Sequence, residues 1–108
     1  MRNESHLVYL IVKALESHGA VFRCQCGQFY TRSGQAVNGL PKGFSDLMCV
    51  LPGGKICFIE AKMPYGRVSP EQKAFIERMK SLGAAAGIAY SVQDALQICG
   101  LYNEYNNG

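Results

Sequence analysis

Apolar residues in the first part of the chain recur every three to four positions: Val8, Ile11 and Leu15 form one stripe, and Leu7, Leu10 and Ala14 widen it. That period predicts an amphipathic helix, with Asn3 as its N-cap and Gly19 as its stop. Glu4 breaks the pattern, because its spacing to Val8 and Ile11 sets it on the apolar stripe. An acid in a first turn does complement the helix dipole. From 20 to 30 the chain turns β-branched and aromatic and predicts a strand, followed by a loop over 33–43 rich in Gly, Asn and Pro. Two β-rich runs, 44–51 and 55–62, flank Pro52-Gly53-Gly54, a hairpin signal. Ser69 as N-cap, Pro70 at the first helical position and Gln72 as capping-box partner open a second helix. Its apolar face is Phe75, Ile76, Met79 and Leu82, and Gly83 ends it. A short strand over 84–90, a last helix from the Ser91 cap through Cys99, and a frayed Asn-rich tail over 101–108 complete the pattern. The order predicts an α/β fold with a mixed sheet flanked by helices.

The hairpin carries the chemistry. If Leu51 pairs with Lys55, antiparallel register sets Asp46 opposite Glu60, with Cβ atoms about 5 Å apart. Period two adds Lys62 to the same face, beside Met48, Val50, Ile56 and Phe58. The other face, from Leu47, Cys49 and Leu51 to Cys57, Ile59 and Ala61, is apolar as well. A hairpin apolar on both faces is expected to be central and covered. Two carboxylates and an ammonium thus meet at one end of a surface that otherwise points into a core.

Like charges repel there, and desolvation makes the repulsion worse. Lys62 alone, as a structural ion pair, is one solution. A divalent cation balances two acids better, and an all-oxygen donor set favours a hard ion, Mg²⁺ or Mn²⁺. Glu4 joins them if the first helix lays its start over that sheet end, which gives both anomalies one cause. Such a cation beside a lysine is a device for phosphodiester hydrolysis.

Composition narrows the field. With 108 residues, 48% hydrophobic and 18% charged, the chain is expected to form one domain over 1–108 with its own core. The net charge of +3 is compatible with a polyanionic partner without demanding one. No apolar run has bilayer length and no secretory h-region follows the start, so a cytoplasmic protein without a membrane role is expected. Five cysteines, with no Cys-x-x-Cys pair, read as buried thiols in a reducing compartment. On a strand, Cys24 and Cys26 would share one face. There is no phosphate-loop motif to support an NTPase. His6 and His18, both assigned to the first helix, are not placed to serve a nucleophilic triad.

Gly43-Phe44-Ser45-Asp46 followed by Ile59-Glu60-Ala61-Lys62 resembles the PD-(D/E)XK nuclease superfamily. Together with Gly66-Arg67-Val68-Ser69-Pro70-Glu71-Gln72 and Ser91-Val92-Gln93-Asp94-Ala95, the chain resembles the VRR-NUC branch (virus-type replication-repair nucleases) in its stand-alone phage and bacterial form. The likeness runs from about Glu4 to about Gly100. It implies a restriction-endonuclease-like αβββαβ core. It also implies a Mg²⁺- or Mn²⁺-dependent endonuclease, a homodimer in a bacterial cell, acting on branched DNA such as four-way (Holliday) junctions. Asp46 and Glu60 would be metal ligands with the Ala61 carbonyl, Glu4 would complete the set, and Lys62 would position the attacking water. Gln72 would lie near the site, on a water or a phosphate, or else serve only the helix cap. Ser45 stands where the pattern usually has proline, a change of backbone rather than of ligand.

A domain this small covers little duplex, and two sites on a twofold axis would suit symmetric strands. Arg32, Lys42, Arg67 and Lys73, around the long loop and the second helix, are candidate phosphate contacts. No aromatic platform marks base reading, so recognition by backbone and shape is expected. The alternatives are a non-catalytic nucleic-acid-binding module of the same fold, and a structural protein stapled by the Lys62 ion pair.

Overall fold

The computed structural model describes residues 3–24 and 28–101, which leaves Cys26 and the tail beyond 101 outside the described residues. In chain order the elements are α1 (Glu4–Glu16), β1 (Ala20–Arg23), β2 (Gln28–Tyr30), β3 (Ala36–Asn38), β4 (Leu47–Leu51), β5 (Lys55–Ala61), α2 (Pro70–Ser81), β6 (Ala85–Ala89) and α3 (Val92–Ile98). Four strands make one mixed sheet in the order β1-β4-β5-β6, parallel only between β5 and β6. The hairpin has the expected register, Leu51 against Lys55 and on to Leu47 against Ile59.

The main core lies between one face of this sheet and the α1–α3 layer. Leu7, Ile11 and Leu15 from α1 meet Leu47, Cys49, Cys57, Ile59 and Ala61 from the hairpin, with Ala95, Leu96 and Cys99 beside them. Asn3 caps α1 as expected, its Oδ1 accepting from the His6 N–H at 2.8 Å. The buried stripe is Leu7, Ile11, Val12 and Leu15, and Val8 is only half-buried at its edge. The helix ends with Ser17 as its C-cap, so His18 lies beyond it.

Gly19 is not the left-handed stop that its position suggested, because its φ is not positive. It is required for space: a Cβ there would collide with the Val50 carbonyl oxygen of β4. We therefore expect Gly19→Ala to cost about 2 kcal/mol by overpacking, read as a lower denaturant midpoint at unchanged slope.

Two expectations require correction. The single strand over 20–30 is two strands in different sheets, and the loop over 33–43 contains β3. β2 and β3 form a separate antiparallel ribbon, with Gln28 opposite Asn38 and Tyr30 opposite Ala36. Its described side chains are all exposed. β3 residues, wet on both faces, have no reason to alternate in polarity, which hides a strand from the pattern.

The second correction concerns the hairpin's other face. A single helix, α2, covers it, and α2 packs over β5 and β6. Its contact with the sheet is an aromatic trio, Phe75 against Phe44 at 4.5 Å and against Phe58 at 5.2 Å between centroids. The β1–β4 half of that face and the turn end of β5 stay open, leaving Phe22 49% and Ile56 39% exposed. Leu82, expected on the α2 core face, is 62% exposed, because it lies beyond the last helical residue as the C-cap.

Candidate metal-binding active site

Four elements deliver side chains to one end of the sheet. Asp46 immediately precedes β4, and its register continues the hairpin ladder to bring it opposite Glu60. Two bonds fix it: its Oδ2 accepts the Ala61 N–H at 2.9 Å, and its carbonyl accepts the Cys24 N–H at 2.8 Å. Ser45, fully buried, donates its hydroxyl to the Leu47 carbonyl at 2.9 Å and so ties down the residue before the acid. Gly43, with φ of 92°, adopts a backbone that other residues resist, and a Cβ there would lie 2.6 Å from the Glu71 carbonyl oxygen. That close approach presses the start of the Asp46 segment onto the first turn of α2.

Glu60 is the buried acid, 3% exposed. Its Oε2 lies 3.7 Å from Lys62 Nζ and accepts from Gln72 Nε2 at 3.0 Å. Its Oε1 is buried with no hydrogen-bond partner among the described residues. Burial is the largest cause pushing the Glu60 carboxyl up to about 7, with the Asp46 and Glu4 charges adding to it and Lys62 opposing it. Glu4 arrives from the first turn of α1. One carboxylate oxygen from each of Glu4, Asp46 and Glu60 lies within 4.8 Å of the others.

Gln72 closes the expected capping box, and its other end reaches the Glu60 carboxylate, a partner the sequence did not announce. Its Oε1 accepts from the Ser69 N–H at 2.9 Å, closing the capping box, while its Nε2 holds Glu60. The two ends of one amide couple the start of α2 to the acid. We expect Gln72→Ala to lower stability by about 1 kcal/mol through the lost cap. Divalent-ion affinity should fall about 10- to 100-fold through the freed carboxylate. Thermal unfolding and calorimetric Mn²⁺ titration measure the two effects separately.

The donor set fits a hard divalent cation. An unpartnered buried carboxylate oxygen beside two further acids is a local excess of negative charge that a single lysine does not neutralise. Ala61 belongs to the same constellation. Its N–H faces Asp46 while the next N–H, that of Lys62, bonds Ala89 across the parallel edge. Since N–H and C=O of one strand residue point to the same edge, the Ala61 carbonyl also faces the Asp46 side.

The expected cationic contacts are less concentrated. Lys42 is exposed and sits 3.9 Å from Glu71, while Arg67 and Lys73 are exposed on either side of the α2 cap. Arg32 sits in the turn of the β2–β3 ribbon, on a separate sheet from the acids. Arg23 went unnoticed in the sequence. It is exposed at the end of β1, opposite Leu47, and its neighbour Cys24 bonds the Asp46 backbone. Only the β1–β4 pairing reveals that proximity, and no local motif announces it.

An α/β domain that gathers acids and a lysine at the end of a β-hairpin, with the lysine two residues beyond the second acid, has a site of the D…E-x-K type. The VRR-NUC domain family matches residues 4–93, and the chain belongs to that family of nucleases. A solved structure titled "VRR_NUC domain" shares the fold at a TM-score of 0.64 and 23% identity, covering 92% of this chain and 96% of that one. No curated protein sequence matches the chain.

Proposed function

We propose that this domain is a divalent-metal-dependent endonuclease that hydrolyses phosphodiester bonds in branched DNA, four-way junctions included. The convergence of Glu4, Asp46 and Glu60 carboxylate oxygens within 4.8 Å is the observation that carries the reading. Glu4, Asp46, Glu60 and the Ala61 carbonyl would hold Mg²⁺ or Mn²⁺. When bound, the ion supplies an acidified water and charge stabilisation at the phosphate. Lys62, its stem buried and its Nζ 3.7 Å from Glu60, orients the attacking water and offsets developing negative charge. Gln72 fixes the Glu60 carboxylate in its rotamer. Asp46 is held by the Ala61 amide, so neither acid must reorganise when substrate arrives.

Residues 17–45 contain no Asp or Glu but carry Arg23, Arg32 and Lys42, and this stretch without acids of its own supports a DNA partner. Arg32, Lys42, Arg67 and Lys73 are the proposed phosphate contacts. The open half-face around Phe22 and Met48, with Val37 and Leu40 of the adjoining ribbon segment, lines a cavity of about 810 Å³. A two-stranded ribbon is marginal on its own in water. An open apolar face beside so small a ribbon supports cover by a second copy of the chain, a homodimer, and light scattering at micromolar concentration tests it. Cys49, Cys57 and Cys99 are free thiols in the core, which supports a reducing compartment such as the bacterial cytoplasm. Among the described residues no helix is long and apolar enough to cross a membrane.

The deciding experiment is cleavage of a four-way junction, a flap, a nicked duplex and an intact duplex at low salt, with Mg²⁺, Mn²⁺ or EDTA. Metal-dependent cutting that favours the branched substrates is expected. No cutting of any substrate with either ion would overturn the reading.

A further inference from the structure

The segment joining β5 to α2 carries a side chain that the catalytic constellation leaves unused. Met63, Pro64, Tyr65 and Gly66 form a tight turn closed by the Gly66 N–H donating to the Met63 carbonyl at 2.8 Å. Proline at the second position fixes its own φ, and Tyr65 at the third has no positive φ, so the turn is of the common first type and stiff. It folds back over the catalytic lysine: a Cβ on Gly66 would lie 3.3 Å from Lys62 Cδ. Lys62 is thereby left with a side chain only 12% exposed. Tyr65, three residues on, is 97% exposed, the most exposed large apolar side chain among the described residues. Its ring packs on almost nothing in its own protein, yet its backbone is tied to the group that would face the scissile phosphate.

Arg67 follows it, exposed, and Lys73 lies in the opening of α2. Glu71, the acid nearest in sequence to Arg67 and Lys73, is paired with Lys42. The surroundings therefore suit a polyanion and the ring suits a base face. Inside an intact duplex both faces of every base are covered by neighbours. A protruding ring gains stacking energy only where the stack is interrupted, at a branch point, flap or gap.

Resting on the reading of DNA as the substrate, we propose that Tyr65 is a specificity-determining residue: it stacks on a base left uncovered at a strand discontinuity and thereby selects branched over continuous DNA. The ring replaces no catalytic group. It sets which phosphate comes to rest over Lys62.

The test uses a four-way junction with 2-aminopurine at the branch point and a linear duplex of the same sequence, both in EDTA so that nothing is cut. The wild type is expected to bind the junction more tightly and to quench its fluorescence. Tyr65→Ala should lose about ten-fold or more of the junction-to-duplex affinity ratio and the quenching with it. Tyr65→Phe, which keeps the ring, should retain both. Unchanged discrimination in Tyr65→Ala, equal loss in Tyr65→Phe, or a wild type that binds the two DNAs alike would each overturn the proposal. Discrimination through Tyr65 without cutting in Mg²⁺ or Mn²⁺ would sink the nuclease reading and leave this one standing. Metal-dependent cutting with discrimination untouched in Tyr65→Ala would do the reverse.

Discussion

Asp46→Asn should reduce metal-dependent cleavage by on the order of a thousand-fold, the effect of withdrawing several kcal/mol of charge stabilisation from the transition state. The substitution is nearly isosteric and an amide oxygen still accepts the Ala61 N–H, which Asp46 Oδ2 accepts at 2.9 Å in the native chain. The fold should therefore survive while the cluster loses a formal charge. Lys62→Met should give a loss of similar order with metal affinity retained, because it removes the ammonium and leaves the oxygen donors. Single-turnover cleavage and Mn²⁺ calorimetry on both variants separate the two roles. Cleavage at wild-type rate by either variant would remove that residue from the mechanism.

Glu60→Gln should do the opposite to stability. The Glu60 carboxyl is pushed up to about 7 from an ordinary value of 4.5, mainly by burial. A carboxyl whose folded pKa is raised favours folding fully below its unfolded pKa and loses that contribution as pH climbs through the folded one. Metal-free wild type should therefore become less stable between roughly pH 4.5 and 7, by up to about 3 kcal/mol. Glutamine carries no charge to desolvate, still accepts from Gln72, and should flatten that dependence. At pH 8 without metal its melting midpoint should exceed the wild-type value by roughly 10 °C, while cleavage is abolished. Thermal melts in EDTA at pH 5 and pH 8 measure this directly. Parallel pH profiles for the two proteins would show that Glu60 does not bear the strain. The same titration makes ion uptake displace a proton from Glu60 below about pH 7, so metal affinity should rise with pH across that range.

Legibility in the sequence followed the range of the interactions involved. Pro52-Gly53-Gly54 is a local signal, and it set the hairpin register from which Asp46 opposite Glu60 could be deduced. Ser69 and Gln72 are three apart and announced the α2 cap, although nothing local shows that the far end of the Gln72 amide holds Glu60. Glu4 stood out only as an acid on an apolar stripe, and the tertiary packing of α1 supplied the reason. What escaped was decided by neighbours distant in sequence. β3, exposed along its whole length, has no buried face to impose alternation, and the half-buried side of β4 depends on how few helices reach it. Gly19 was read as a helix stop by its position, whereas the Val50 carbonyl packed against it is the cause.

The parallel pairing of β5 with β6, sealed by the Lys62 N–H on the Ala89 carbonyl, has a consequence for biosynthesis. A growing polypeptide that has left the ribosome only as far as Lys62 already carries the three acids and the amine, but neither the amide that steadies Glu60 nor the flanking strand. The strand edge that positions the lysine is completed by residues almost thirty places downstream. On the proposed nuclease reading, cleavage would thus be withheld until nearly the whole domain has emerged, and partial translation products would be inert toward the nucleic acid around them.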